Sequence, residues 1–355
     1  MAGGLRARLS RALPMISALA VRLPNWLGDT VMAEPAVRAL RRAHPQAQVL
    51  LAGPWATVLG GQGLADTLVT YPRAWSGRLA AADVVRRLAP DTAVLLPNSV
   101  ESALAAWYWG AGRRIGFDAG VRGKVLTDVV ALPEPRRHQI DEYLMLAERC
   151  GASADDAEPT LTPPPADGAA RAEARALLAE AGAHGGRRTV GVHLGAAYGP
   201  AKTWPAERVA ELCRLLDTVG ARAVLLGTAA EAPAAAALAA EAPAATLAGR
   251  DRPALLPSLL AELDALVSGD TGVAHLATAL GTPVVALFGP TDPALSAPRG
   301  RAVALTHPVP CAPCFYRVCP IEHPCLRGLE AKRVRDAVLA LLESAPPPRP
   351  ARRQQ

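Results

Sequence analysis

Short apolar runs alternate with longer stretches of helical spacing in both halves of this chain, and few architectures accept such a pattern. The runs are MISALAVRL, AQVLLAG, DTLVTYP and TAVLLPNS in the first half, and RRTVGVHLG, ARAVLLG, LDALVSG and PVVALFG in the second. Buried strands separated by helix-length segments predict parallel sheets with crossover helices. Between the halves lies ASADDAEPTLTPPPADG, residues 152–168, whose prolines and polar residues neither continue a helix nor offer a core face. The expected fold is α/β, with two doubly wound, Rossmann-like domains over 15–165 and 166–345 that face each other across a ligand-holding cleft. A basic leader over 1–14 and a disordered Pro- and Arg-rich tail over 346–355 flank them. Helices are expected from Pro205 to about Val219, from near Thr271, and from about Leu326 to Leu342.

Half the residues are hydrophobic but only 4% are aromatic, so the cores must rest on Ala, Leu and Val. A fifth are charged, which is globular composition and excludes a fibrous or wholly disordered chain. Lys plus Arg exceeds Asp plus Glu by 38 − 32 = 6, a surplus suited to polyanionic partners. No apolar run reaches the roughly 18 residues of a membrane-spanning helix. The six cysteines are scattered or bunched in a way that no secreted disulfide framework requires, which favours a reducing cytoplasm.

Chemistry-bearing residues gather where strands end. Asn25-Trp26-Leu27-Gly28-Asp29-Thr30 closes the first strand and opens a helix. Gly28 permits close approach there, and Asp29 is either a helix cap or an ionised general base facing an acceptor hydroxyl. His193 to Pro205, with Gly195 and Lys202, forms a Gly-containing loop after the next domain's first strand. Lys202 is either a point charge for a diphosphate or a solvated loop residue. Ser268 to His275 links a strand to a helix whose free N–H groups make an anion site. Asp270 or Thr271 caps that helix, Gly272 keeps the approach open, and His275 is either a ligand contact or a structural histidine. Gly289 to Pro293 adds a further loop at a strand end.

Cys311, Cys314, Cys319 and Cys325, with His323 among them, provide enough soft ligands for a tetrahedral metal site. Their intervals fit no common zinc module, so buried thiols and a reversible disulfide stay open. Arg38, Arg41, Arg42, Arg113 and Arg114 make the first half basic. They meet acceptor anions or form an ordinary solvated face.

Together these segments resemble the lipopolysaccharide heptosyltransferases of glycosyltransferase family 9, from about Val21 to Leu342. The resemblance is carried by PNWLGDTVMAEPAVRALRRAHPQA, GAAYGPAKTWP and SGDTGVAHLATALGTPVVALFGPTDP, and CAPCFYRVCPIEHPCL is similar to the type II branch. It implies a GT-B fold and inverting transfer of L-glycero-D-manno-heptose from ADP-heptose to a lipid A-linked inner core. It also implies no cofactor or catalytic metal, no nucleic acid partner, and a cytoplasmic protein peripheral to the inner membrane. By the same resemblance Asp29 matches the catalytic base and Lys202 the lysine that meets the donor phosphates. Asp270, Thr271, Gly272 and His275 match the donor-binding segment, and Glu231 the carboxylate that holds the adenosine ribose. Asn25, Gly28, Arg113 and Arg114 are candidate acceptor contacts. On the residues alone, two other readings stand beside this one. The first is another nucleotide-sugar transferase or epimerase. The second is a metal- or redox-sensing nucleic-acid binder, although no helix-turn-helix or interleaved aromatic–basic pattern supports it.

Overall fold

A computed structural model describes residues 15–72, 74–153, 156–183, 186–250 and 252–344. The leader over 1–14 and the tail over 346–355 lie outside the described residues. Within them are two six-stranded sheets in which every pairing is parallel. The first contains β1 (Ala18–Arg22), β2 (Gln48–Gly53), β3 (Thr67–Thr70), β4 (Thr92–Leu95), β5 (Arg113–Phe117) and β6 (Asp128–Val130) in the order β3-β2-β1-β4-β5-β6. The second contains β7 (Arg188–His193), β8 (Ala221–Leu226), β9 (Ala244–Thr246), β10 (Ala265–Gly269), β11 (Val284–Phe288) and β12 (Ala302–Thr306) in the order β12-β11-β10-β7-β8-β9. Read from opposite edges the two orders are the same. In both, strand order reverses at the first strand, beside β4 and beside β10, which is where doubly wound sheets hold ligands. This is the pair of Rossmann-like sheets expected of a GT-B protein.

The central strands fold as they do because both their faces are covered: β4, β10 and β11 are buried at every position. The register sets Val21 of β1 between Leu51 and Val94, and Val267 of β10 between Val192 and Val285. Helices supply matching apolar stripes. Ala206–Thr218 buries Val209, Leu212, Cys213 and Leu216, and Ala331–Glu343 buries Ala331, Val334, Val338 and Leu341. Both cores are dominated by Ala, Leu and Val, as the scarcity of aromatics requires.

The described chain divides into two compact units. One groups the described residues of 1–24, 36–132 and 142–155, the other those of 25–35, 133–141 and 156–355. The expected boundary at 165 is therefore displaced, and the segment bearing Asp29 falls in the second unit. The Pro-rich stretch also packs more firmly than a linker would. Leu161 is buried with its N–H on the Ala279 carbonyl (2.8 Å), and Thr160 N donates to Glu34 Oε2 (3.0 Å), all within the second unit. The helix after β1 is two pieces, Leu27–Met32 and Glu34–Ala43, because Pro35 has no N–H to continue the ladder. The final helix is likewise split into Pro324–Arg327 and Ala331–Glu343, with Gly328 pressed against the His307 ring.

Candidate active site

Within the second unit the Leu27–Met32 helix and the Gly272–Ala279 helix meet at their first turns. A Cβ on Gly28 would lie 2.9 Å from His275 Cδ2 and 3.2 Å from Gly272 Cα. The close approach that Gly28 permits here is to His275 and Gly272. Asn25 stands half-buried just ahead of this helix.

Asp29 is the third residue of its helix, Trp26 occupies the N-cap, and no side-chain cap hydrogen bond forms there. The geometry removes the cap reading. Its half-buried carboxyl is raised to about 6 from an ordinary 3.8. Burial is the main cause and the Asp270 charge adds to it, while His275 and Lys202 pull the other way. A carboxyl tuned there is ionised at neutral pH and still a useful proton acceptor.

Lys202 ends a short turn, Pro200–Lys202, and its side chain is 11% exposed. The ammonium donates to Asp270 Oδ2 at 2.5 Å and to the Asp270 carbonyl at 3.1 Å. It also sits 4.7 Å from the centre of the Tyr198 ring. Tyr198 is itself held by its hydroxyl, which donates to the Phe315 carbonyl (2.5 Å), and Ala201 N donates to the Arg317 carbonyl (3.0 Å). Gly199, at φ +152°, lies so near that a Cβ there would be 2.5 Å from the Arg317 oxygen. The Lys202 loop is therefore fastened to the cysteine-rich segment. Neither Tyr198 nor that fastening is expected from spacing, though Tyr198 lies inside the quoted loop.

Asp270 is 8% exposed, and Thr291 Oγ1 also donates to its Oδ2 at 2.8 Å. Burial alone would raise its carboxyl, but His275 and Lys202 more than offset that and hold it at about 2. An ionised carboxylate repels a diphosphate, so Asp270 serves here to position Lys202. Thr291 joins the site as a residue that the motifs do not single out. His275 Nε2 is 3.9 Å from Asp270 Oδ1, an electrostatic contact beyond hydrogen-bond reach. Thr271 is the N-cap of the Gly272–Ala279 helix, but its hydroxyl pairs with Ser268 Oγ (2.9 Å) and no side chain caps the first turn. The first turn instead bonds Ala274 N to the Thr271 carbonyl (3.1 Å), and Gly272 packs against Gly28 and Leu27.

A cavity beside Lys202 is lined by His193, Gly195, Trp204, Ser268 and Gly269 among others. Burial lowers His193 to about 4, although Glu231 opposes the shift, and no partner meets its buried Nδ1. Glu231 is brought to Gly195: a Cβ on that glycine would stand 3.4 Å from the carboxylate. Glu231 Oε2 accepts from Thr228 N (2.8 Å) and Thr228 Oγ1 (2.6 Å).

Other candidates do not join. Arg113 binds Asp128 (2.6 Å) and the Arg149 carbonyl (2.6 Å) in the first unit, and Arg114 donates to the carbonyls of Ala111 and Val125. Both are thus held within the first unit. Among the described residues no three His, Cys, Asp or Glu side chains converge to hold a metal ion. Cys311 is exposed, Cys319 Sγ accepts from His323 N (3.2 Å), and Cys325 is buried beside Gly289, so the four thiols form no common site.

Residues 78–324 match glycosyltransferase family 9 (heptosyltransferase), and the chain belongs to that family of GT-B glycosyltransferases. Lipopolysaccharide heptosyltransferase 2 of Escherichia coli K12 is 30% identical over 302 residues, which span 79% of this chain and 86% of the relative. Lipooligosaccharide heptosyltransferase 2 of Haemophilus influenzae is 27% identical over 78% of this chain and 84% of the relative. The solved E. coli ADP-heptose LPS heptosyltransferase II superposes with a TM-score of 0.75 at 26% identity, covering 92% of this chain and 98% of the other. An E. coli heptosyltransferase solved with ADP shares the fold, with a TM-score of 0.68 at 20% identity over 91% of this chain and 99% of the other. Family membership sets aside the nucleic-acid-sensor reading.

Proposed function

We propose that this chain transfers L-glycero-D-manno-heptose from ADP-heptose to a heptosyl-Kdo-lipid A inner core, with inversion at the anomeric carbon. The observation that carries this reading is the Asp29 carboxyl, raised to about 6, in the same unit as Lys202 and the uncapped start of the Gly272–Ala279 helix. The names of the relatives support the donor and the acceptor class.

In the displacement, an acceptor hydroxyl oxygen attacks the anomeric carbon, Asp29 takes the hydroxyl proton, and the bonding pair leaves with ADP. Negative charge grows on the diphosphate, where Lys202 and the first-turn N–H groups of Gly272 and Val273 stabilise it. Asp270, itself bonded by Thr291, holds Lys202 in place, and Tyr198 lies beside its ammonium. Glu231, with Gly195 beside it, receives the adenosine ribose hydroxyls. Lys202 and the start of the Gly272–Ala279 helix are the positive groups on this side, and the reading uses no catalytic cation. None of the described helices is long and apolar enough to cross a membrane. The chain works in the cytoplasm as a peripheral protein on the inner membrane.

Mass spectrometry of purified protein with ADP-heptose and heptosyl-Kdo-lipid A tests the reading. The expected result is one added heptose, with UDP- and GDP-sugars inactive. Turnover of a UDP-sugar in place of ADP-heptose overturns the donor assignment.

A further inference from the structure

Three elements that follow β3, β4 and β5 in the first unit carry large apolar side chains in solvent. On the Val100–Tyr108 helix, Val100 (40% exposed), Leu104 (49%) and Trp107 (62%) fall at i, i+4 and i+7, one continuous stripe, while Ser102, Ala103, Ala105 and Ala106 face inward. The Trp75–Arg87 helix runs alongside. Tyr108 Oη donates to Asp83 Oδ1 (2.5 Å), Arg86 lies 5.1 Å from the Tyr108 ring centre, and Arg78 is 3.9 Å from Glu101. One turn before Asp83 it presents Leu79, 65% exposed. The Gly120–Lys124 turn is fixed beside the start of the stripe by Arg122, which donates to the Pro97 carbonyl (2.5 Å) and Asn98 Oδ1 (3.2 Å), and it carries Val121, 66% exposed. Scattered surface apolar residues are ordinary, but a stripe flanked by two further exposed residues on adjoining elements marks an interaction surface.

Its charge decides the partner. Leaving aside the buried Arg122, the two helices and residues 118–124 hold four basic residues (Arg78, Arg86, Arg87, Lys124) and three acidic ones (Asp83, Glu101, Asp118), of which only Asp118 is exposed. Asp83 is taken by Tyr108, and Glu101 lies within 4 Å of both Arg22 and Arg78. Arg86, Arg87 and Lys124 remain exposed at the margins. Apolar side chains including a tryptophan, bordered by exposed cations, match the boundary between acyl chains and anionic headgroups.

We infer that this face of the first unit docks on an anionic lipid bilayer, with Leu104 and Trp107 entering the headgroup region and Arg86, Arg87 and Lys124 meeting lipid phosphates. The inference takes its setting from the proposed lipid-borne acceptor, but binding is measured with neither donor nor acceptor present. The full chain is sedimented with vesicles of phosphatidylethanolamine and phosphatidylglycerol, and separately of phosphatidylcholine alone. Wild type is expected to bind the anionic vesicles, less so in high salt, and to leave phosphatidylcholine largely unbound. The Leu104→Gln/Trp107→Gln and Arg87→Gln/Lys124→Gln double variants, checked for fold by circular dichroism, should each weaken binding about tenfold or more. Turnover of a deacylated soluble acceptor should be unchanged in both. The inference is overturned if the Leu104/Trp107 variant binds anionic vesicles as wild type does, or if wild type binds none. It is equally overturned if that variant loses only self-association or capture of a protein partner. Vesicle binding without heptose transfer would leave this surface standing and remove the proposed reaction instead.

Discussion

Gly28 and Gly272 meet so closely that a Cβ on Gly272 would lie 2.7 Å from the Gly28 nitrogen. Two helix starts, distant in sequence, are thereby set side by side, and Asp29 is delivered to the helix that carries His275. Replacing Gly28 by Ala would push a methyl against His275 and against backbone that has no freedom to yield. The expected cost is about 1–3 kcal/mol in denaturant unfolding, with a lower kcat. An unchanged unfolding midpoint would show that this contact does not constrain the site.

Removing the Asp29 carboxylate should end transfer while ADP still binds. Asp29→Ala is expected to lower kcat by about 10²–10⁴ with little change in ADP affinity by calorimetry. In wild type, kcat/KM should fall about tenfold per pH unit below about 6, because the base must be ionised. A profile flat from pH 8 to 5 would assign proton acceptance to another group.

The same carboxyl carries a stability signature of definite sign. Its pKa is higher folded (about 6) than unfolded (3.8), so folding retains a proton that the unfolded chain releases between those values. Stability therefore declines as pH rises through that window, and the penalty is complete above it. Asp29→Asn should be more stable than wild type at pH 8, by on the order of 2–3 kcal/mol, and the gain should vanish below pH 4. Thermal melts across pH would detect either outcome.

Asp270 has the opposite sign. Held at about 2, it stabilises the fold at every pH above its unfolded value of 3.8, and that contribution fades as pH falls towards 2. Asp270→Asn leaves the Lys202 ammonium without its counter-ion. The expected loss is roughly 3 kcal/mol at pH 7, shrinking towards pH 2, together with weaker donor binding.

Tyr198 offers a graded test of how Lys202 is aimed. Tyr198→Phe keeps the ring and loses the hydroxyl's grip on the Phe315 carbonyl, whereas Tyr198→Leu removes the ring under the ammonium. Donor KM should rise about three- to thirtyfold for Leu and less for Phe. Equal kinetics in all three would place Lys202 under the control of Asp270 alone.

The strands legible in the sequence are β1 to β4, β7, β8, β10 and β11, and all of them but the half-exposed β3 are largely buried runs of Val, Leu and Ala that end at turn residues. β5 opens with Arg113-Arg114, β6 and β9 are three residues each, and β12 lies at a sheet edge with mostly half-exposed positions, so none stands out from its surroundings. The site follows the same logic. Asp29, Lys202 and the 270–275 segment are visible because they sit where strands end. The hold of Asp270 on Lys202 spans 68 residues and the anchor of Tyr198 on Phe315 spans 117, separations that local spacing cannot encode. Nor does an apolar run declare which body a short helix will pack on.

That last point bears on how this protein can be taken apart. Residues 25–35 leave β1, join the unit that carries Lys202 and Asp270, and return at Ala36. A fragment begun at residue 156, though it preserves the whole β7–β12 sheet, would lack Asp29 altogether. A single cut anywhere between them parts Asp29 from Lys202, and swapping the second half between relatives would leave the borrowed half dependent on eleven residues of its host.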